Sequence, residues 1–154
     1  MIINLVEVGN SAEILLVEDR LSEVELMREV LQEYPRPHHL HVVRNGEEAL
    51  AFLSRQGKYG NAPRPDLIFL DLNLPKLNGH EVLAAIKSDQ KLKSLPVVVL
   101  TTSTTAKDIL KSYELQANCY IVKPVDLDQF IEVVQVTMKF WLTFVALPLP
   151  CDKY

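Results

Sequence analysis

Short apolar runs alternate along this chain with segments whose apolar residues recur every three or four positions. The runs are ILLV (14–17), LHVV (40–43), DLIFLD (66–71), PVVVL (96–100) and CYIV (119–122). Four of the five are almost purely apolar, which is typical of strands that are covered on both faces. The intervening segments predict helices at about 22–34, from 46, from 79, at about 106–116 and from 126.

Strands that alternate with helices indicate an α/β fold in which helices cover both faces of a parallel sheet. Five such units predict a (βα)5 flavodoxin-like three-layer sandwich, for which 2-1-3-4-5 is the common strand order. The 154 residues suffice for one domain with a substantial core. We expect this domain at 13–144, between an N-terminal tail at 1–12 and a C-terminal tail at 145–154.

The composition argues against several classes of protein. With 48% hydrophobic and 23% charged residues, the chain has the composition of a globular protein rather than a disordered one. A net charge of −4 without a basic stripe argues against direct nucleic-acid binding. Neither a membrane-spanning run nor a secretory signal is recognisable. Because Cys119 and Cys151 lack the spacing of a metal or redox pair, we expect reduced thiols in a cytoplasmic protein.

Polar residues follow four of the five predicted strands at the edge where ligands bind in such a sheet. They are Glu18 and Asp19 after strand one, Asp71 after strand three, Thr101 after strand four and Lys123 after strand five. Each alone has an ordinary structural explanation, such as a helix cap or a solvated lysine. Together, three carboxylates outnumber one ammonium. The excess negative charge predicts a bound divalent cation, for which Mg²⁺ is the expected choice.

A cation, an ammonium and a hydroxyl at one edge are the groups that hold a phosphoryl group. The cation and Lys123 would neutralise its oxygens, and Thr101 would donate a hydrogen bond. One carboxylate can then attack phosphorus and become an acyl phosphate. Asp71 is the best candidate, because it stands alone after the central strand while Glu18 and Asp19 remain to hold the metal.

These residues also carry a resemblance to the receiver domains of two-component response regulators. It extends over about 13–141 and rests on four motifs: VED after strand one, LDLNLP and NG after strand three, LTTS after strand four, and YIVKP at strand five. The resemblance implies a signalling protein, not an enzyme, that accepts a phosphoryl group from a sensor histidine kinase on Asp71. Glu18, Asp19, Asp71 and the backbone carbonyl of Asn73 would position Mg²⁺.

The resemblance further implies the parts of a phosphorylation switch. Lys123 would pair with a phosphoryl oxygen, and the peptide bond between Lys123 and Pro124 is expected to be cis. Thr101 would move toward the phosphoryl group, and Tyr120 would move with it. Thr102 stands where a smaller residue is frequent in this family. Its larger side chain would restrict the access of water or of a partner.

A narrower resemblance is to the small response regulators that are paired with cyanobacterial phytochromes. It rests on the loop GKYGNAPRPD (57–66), on LTTS (100–103) and on the ending FWLTFVALPLP (140–150). A phytochrome is therefore the implied kinase. One departure from the family is Glu18, where many receivers have Asp, and the longer side chain leaves the metal contact to water. Because no output domain is predicted after the receiver, the signal would leave through surface contacts.

Two alternative functions fit parts of the pattern. An aspartyl-nucleophile phosphatase of the haloacid dehalogenase-like family usually carries a second Asp two positions after the nucleophile, where this chain has Asn73. Because an amide cannot activate water, the sequence favours a phosphate that persists. A flavodoxin-like nucleotide-binding module would need a loop rich in Gly, Ser or Thr after strand one, and EDRLSE (18–23) stands there instead.

The last predicted helix carries two apolar stripes. The first, expected to face the core, comprises Phe130, Ile131, Val134, Met138 and Trp141. The second lies roughly opposite and comprises Val133, Val136, Phe140 and Phe144. Because a helix on the outside of a sheet needs one such stripe, we interpret the second as a homodimer interface. The alternative is that the tail LPLPCDKY (147–154) folds back over it.

Overall fold

Strands and helices alternate along residues 11–148, the part of the chain that this computed structural model describes. The strands are β1 (Ala12–Val17), β2 (His38–Val43), β3 (Leu67–Leu70), β4 (Val97–Thr101) and β5 (Cys119–Val122). The helices are α1 (Leu21–Gln32), α2 (Gly46–Leu53), α3 (Gly79–Ser88), α4 (Ala106–Glu114) and α5 (Leu127–Lys139). A 3₁₀ turn at Gly57–Tyr59 and a π-helical turn at Phe140–Phe144 complete the described elements. The predicted succession of elements is confirmed.

The five described strands form one parallel sheet in the order β2-β1-β3-β4-β5. The predicted order 2-1-3-4-5 is therefore confirmed. In the register of this sheet, Val17 lies beside both Val43 and Leu70. Thr101 lies beside Val122 in the same way. The residues that follow β1, β3 and β5 consequently emerge at one edge of the sheet, as predicted.

The core consists of two apolar layers, one on each face of the sheet, because successive strand residues point to opposite faces. Leu15, Val17 and Ile68 belong to the layer that also contains buried residues of α2 and α3. Ile14 and Leu16 belong to the other layer, together with buried residues of α1 and α5. The molecule is thus a three-layer sandwich, with α1 and α5 on one side and α2 and α3 on the other.

Some element boundaries differ from the predicted ones by two or more residues. The first helix ends at Gln32 rather than near 34, shortly before Pro35. The fourth helix ends at Glu114, because Gln116 adopts a positive φ of 72° that a helix cannot contain. The second strand begins earlier, at His38, because it pairs with β1 from Ala12 onward. Ala12 and Leu147, both assigned to the tails by the sequence, are buried.

The last helix presents an apolar face to the core and a second one to solvent. Phe130, Val134 and Met138 are buried, and the other two members of the first stripe are partly buried against the same layer. Of the second stripe, the residues Val136, Phe140 and Phe144 are 61%, 52% and 47% exposed.

Val133 differs from the other members of the second stripe, because it is half-buried. It lies one turn before the buried Thr137, at the edge of the core face, and its carbonyl accepts a hydrogen bond from the Thr137 hydroxyl. The exposed stripe therefore consists of three residues rather than four. Most of the tail that could cover this stripe lies outside the described residues. Between residues 11 and 148, no helix is long and apolar enough to cross a membrane.

Candidate functional site

Three carboxylates meet beyond the carboxyl ends of β1 and β3. Glu18, Asp19 and Asp71 each offer one oxygen, and these oxygens lie within 4.8 Å of one another. Glu18 and Asp71 are buried, whereas Asp19 is partly exposed. The arrangement follows from the sheet register, because Val17 and Leu70 are paired and each directly precedes one of the buried acids. The predicted convergence of the three acids is therefore observed.

Lys123 reaches into this cluster from the end of β5, and its side chain is only 8% exposed. Its Nζ lies 3.2 Å from Glu18 Oε2, 3.7 Å from Asp71 Oδ2 and 2.6 Å from Glu23 Oε2. Burial lowers the pKa of Lys123, but the surrounding carboxylates outweigh burial and hold its pKa above the usual value. Lys123 is therefore charged. With Asp19 included, four carboxylates share one ammonium.

Glu18 shows how unfavourable the cluster is without further positive charge. Burial, and after it a hydrogen bond with Asp71, raise the pKa of Glu18 to about 8 against the opposing effect of Lys123. At neutral pH the cluster therefore retains a proton unless a cation replaces it. Carboxylate oxygens are the ligands that hard divalent cations prefer. The residues present thus fit a divalent metal ion.

Gly79 sets the position of the loop that follows Asp71. Its N–H donates a 2.9 Å hydrogen bond to the carbonyl of Leu72. A Cβ at this position would lie 2.3 Å from the Asp71 carbonyl oxygen and 2.5 Å from Leu72 Cα, so only glycine permits the approach. Asn78 and Glu81 form a capping box that begins α3 at this glycine. The start of α3 is thereby packed directly against the backbone of Asp71.

Ser103 joins Thr101 to Tyr120. Thr101 is fully buried, and its Oγ1 accepts a long, 3.5 Å hydrogen bond from the N–H of Ser103. The Tyr120 hydroxyl donates a 2.9 Å hydrogen bond to the Ser103 carbonyl. The Ser103 hydroxyl in turn donates to Asp108 at the start of α4, which lowers the pKa of Asp108. The two predicted switch residues are therefore connected to each other and to α4.

The remaining predicted residues surround these groups. The N–H of Asn73 donates a 3.4 Å hydrogen bond to Asp71 Oδ1, and the Thr102 side chain is exposed. The expected cis bond before Pro124 is wrong for this structure, because the described residues contain no cis peptide bond. The trans preference of such a bond is only about 0.5–1 kcal/mol, so a motif alone does not determine the isomer. With the trans bond, the N–H of Lys123 still donates a 2.7 Å hydrogen bond to the Thr101 carbonyl.

Two residues of the site, Glu23 and Ser103, were not predicted from the sequence. Glu23 contributes the ion-pair contact that lies nearest to Lys123 among the three, and Ser103 contributes the connection described above. Glu23 could have been suspected from the sequence, because it lies in the first turn of the helix that directly follows strand one, close to the end of that strand. Ser103 stands two residues after Thr101, but its role depends on backbone atoms, which a residue type does not reveal.

Comparisons with known proteins agree with this geometry. Residues 14–135 match the family of response regulator receiver domains. The response regulator Rcp1 of Synechocystis sp. is 51% identical over 135 residues, which cover 88% of this chain and 92% of that protein.

Two solved structures are similar to this one in fold and sequence. The phosphorylated cyanobacterial phytochrome response regulator RcpA superposes with a TM-score of 0.88 at 49% identity, over 91% of this chain and 100% of that one. The Mn²⁺-bound form of Rcp1 superposes with a TM-score of 0.86 at 50% identity, over 90% and 99%. Among the relatives of this fold are thus a phosphorylated protein and a protein that binds a divalent metal.

Proposed function

Because this chain belongs to the response regulator receiver domain family, we propose that Asp71 accepts the phosphoryl group of a sensor histidine kinase. The observation that carries the proposal is the position of Asp71, a buried carboxylate 3.7 Å from the Lys123 ammonium and within 4.8 Å of two further acids. A buried nucleophile beside an ammonium and a set of hard oxygen ligands suits phosphoryl transfer. The phosphorylated relative supports the same assignment.

In the transfer, an Asp71 carboxylate oxygen forms a bond to phosphorus. The bond between phosphorus and the donor histidine nitrogen breaks, and the imidazole leaves with the electron pair. Lys123 then neutralises a phosphoryl oxygen, and the Thr101 hydroxyl donates a hydrogen bond to another. Tyr120 follows Thr101 through their shared contacts with Ser103. The surface formed by α4, β5 and α5 then changes its affinity for partners by a shift in population.

The proposed cation is Mg²⁺, held by Glu18, Asp19, Asp71 and the carbonyl of Asn73. When bound, it neutralises charge that develops on the phosphoryl oxygens. The carboxylate oxygens fit such an ion, and the Mn²⁺-bound relative supports a divalent metal. Mg²⁺ is preferred because it keeps waters and binds phosphate oxygens with few carboxylates.

We further propose that the protein does not turn over phosphate as an enzyme does. Asn73 stands two residues after Asp71, and its amide cannot act as a general base toward water. The acyl phosphate therefore persists long enough to act as a signal. Thr102, exposed beside the buried Thr101, restricts the access of water or of a partner.

The kinase is proposed to be a phytochrome, because a similar protein is a cyanobacterial phytochrome response regulator, and the protein is proposed to act in the cytoplasm. The exposed stripe of Val136, Phe140 and Phe144 is proposed as a homodimer interface, because exposed apolar stripes mark interaction sites. Signalling then passes through protein contacts rather than through nucleic acid or a membrane. The division into a receiver at 13–144 and tails at 1–12 and 145–154 stays a prediction.

Acetyl phosphate provides a direct test of phosphoryl acceptance. With Mg²⁺, it should add one phosphate to the wild-type protein and none to Asp71→Asn, as measured by intact mass. Asp128→Asn, an exposed acid in α5, serves as the control and should behave as wild type. Continuous release of inorganic phosphate over many turnovers would support the phosphatase instead.

A further inference from the structure

Before any phosphoryl group arrives, Lys123 is held by Glu23 and Glu18 and lies beyond hydrogen-bond distance of Asp71. A lysine ammonium has three N–H donors. Three carboxylate oxygens surround it, from Glu23 at 2.6 Å, Glu18 at 3.2 Å and Asp71 at 3.7 Å. Because the shortest contact of Lys123 is with Glu23, a phosphoryl oxygen on Asp71 competes with Glu23 for the Lys123 ammonium.

Glu23 differs from Glu18 and Asp71 in the positive partners that are available to it besides Lys123. Glu18 and Asp71 belong to the set of acids that converges on the candidate metal position, and Glu23 does not. A bound cation would neutralise Glu18 and Asp71 and weaken their hold on Lys123. The same cation would not neutralise Glu23, because Glu23 is not among these acids. Among the described residues, Lys123 is the cation that the structure pairs with Glu23.

The helix keeps Glu23 in this position. Its N–H donates to the carbonyl of Arg20 at 3.1 Å in the first turn of α1. The next residue, Val24, and Met27 are both buried in the core layer below. The Glu23 carboxylate therefore cannot follow Lys123 toward Asp71 by movement of the helix. In the observed conformation of Glu23, a displacement of Lys123 toward Asp71 lengthens the 2.6 Å contact.

We propose that Glu23 is a positioning residue that restrains Lys123 in the unphosphorylated protein, so that phosphorylation requires Lys123 to exchange Glu23 for a phosphoryl oxygen. The inference rests on the proposed phosphorylation of Asp71. Glu23 then lowers the rate at which the acyl phosphate forms. It does not affect hydrolysis, because Lys123 has already left Glu23 in the phosphorylated protein and in the transition state for its hydrolysis.

Three variants separate this role from a general effect of charge. Glu23→Gln removes the ion pair and one negative charge. Glu23→Asp keeps the charge but shortens the side chain by one methylene, so the 2.6 Å contact is lost. Glu25→Gln makes the same change of charge on an exposed face of the same helix. Phosphorylation by acetyl phosphate and the decay of the phosphorylated form, both followed by intact mass with Mg²⁺ present, give the two rate constants.

We expect Glu23→Gln and Glu23→Asp to phosphorylate about tenfold faster than wild type, on the scale of one hydrogen bond to a charged group. Decay rates should stay within about twofold, because a mutation changes only steps in which the interaction is gained or lost. Glu25→Gln should match wild type in both. If Glu23→Gln does not fold, Glu23→Asp alone decides the outcome.

Each other result overturns the inference. Equal or slower phosphorylation of the Glu23 variants shows that Glu23 does not restrain Lys123. Acceleration in Glu23→Gln but not in Glu23→Asp assigns the effect to charge alone, and decay that changes as much as formation assigns it to a general disturbance of the site. A wild-type protein that gains no phosphate contradicts the proposed function itself, so the two failures are distinguishable.

Discussion

The Tyr120 hydroxyl donates a 2.9 Å hydrogen bond to the backbone carbonyl of Ser103, and the N–H of the same residue approaches Thr101 Oγ1 at 3.5 Å. Ser103 is thus hydrogen-bonded to Thr101 through its N–H and to Tyr120 through its carbonyl. Ser103 also donates from its hydroxyl to Asp108 in the first turn of α4. A displacement of Thr101 toward a phosphoryl group therefore has a defined physical route to Tyr120 and to α4.

Tyr120→Phe removes the hydrogen bond to Ser103 while keeping the ring. We expect Asp71 to remain a phosphoryl acceptor, and the free energy of unfolding to fall by about 0.5–1.5 kcal/mol, the usual contribution of one hydrogen bond. Amide exchange of Ser103 and its neighbours should become faster, and beryllofluoride with Mg²⁺ should protect them less than in wild type. Hydrogen exchange that is identical in both proteins would argue against the route through Ser103.

The raised pKa of Glu18 predicts how the stability of the metal-free protein depends on pH. Its pKa is about 8 in the folded protein and 4.5 in the unfolded chain. Between these values the folded state binds more protons, so the free energy of unfolding falls as pH rises from about 5 to about 8. Urea unfolding with a chelator present should show this slope, and Glu18→Gln should reduce it. A wild-type slope no steeper than that of Glu18→Gln would contradict the assignment.

Gly79→Ala tests the close approach of α3 to Asp71. Helix propensity alone predicts that alanine stabilises the first turn. The new Cβ would lie 2.3 Å from the Asp71 carbonyl oxygen, so we expect destabilisation by about 1–3 kcal/mol, typical of overpacking, and slower phosphorylation. Gly60→Ala is the matched control, because a Cβ added there would lie 3.7 Å from its nearest neighbour, the Gly57 carbonyl oxygen, which is an ordinary contact. Urea unfolding of both variants measures the difference, and a stabilised Gly79→Ala would refute the packing argument.

Charge introduced on the exposed stripe of α5 tests the homodimer. Val136→Glu and Phe140→Glu, at side chains that are 61% and 52% exposed, should leave the folded monomer intact and abolish self-association. Leu110→Glu is the matched control, because Leu110 is 60% exposed on α4 and should tolerate the change. Sedimentation velocity of the three variants and of wild type measures the oligomeric state of each protein. Stripe variants that remain dimeric would exclude this surface.

The fold and the convergence of the main site residues could be predicted from the sequence because both follow from local rules. Apolar runs that alternate with helical periodicity determine the layers, and parallel strands bring their carboxyl ends to one edge. Glu18, Asp71 and Lys123 are the residues next to those ends, so their proximity requires no knowledge of side-chain conformation. The register that pairs Val17 with Leu70 then brings the acids together.

The features that escaped prediction depend on packing and on backbone atoms. The contact between Glu23 and Lys123 requires the direction in which α1 leaves β1 and the conformation of a long side chain. The link through Ser103 uses its peptide groups, which every residue type possesses. Val133 lies at the edge of the core face rather than outside it, because the boundary of a helix face is set by the neighbouring helix and the sheet.

We propose that Asp71, and no other acid of the cluster, becomes the acyl phosphate. Borohydride reduces a phosphorylated aspartate to homoserine, so peptide mass spectrometry after treatment with acetyl phosphate and Mg²⁺ locates the modified residue. We expect homoserine at position 71 in the wild-type protein, and none when Mg²⁺ is removed by a chelator. Reduction at Glu18 or Asp19, or no reduced residue in a protein that has gained phosphate, would contradict it.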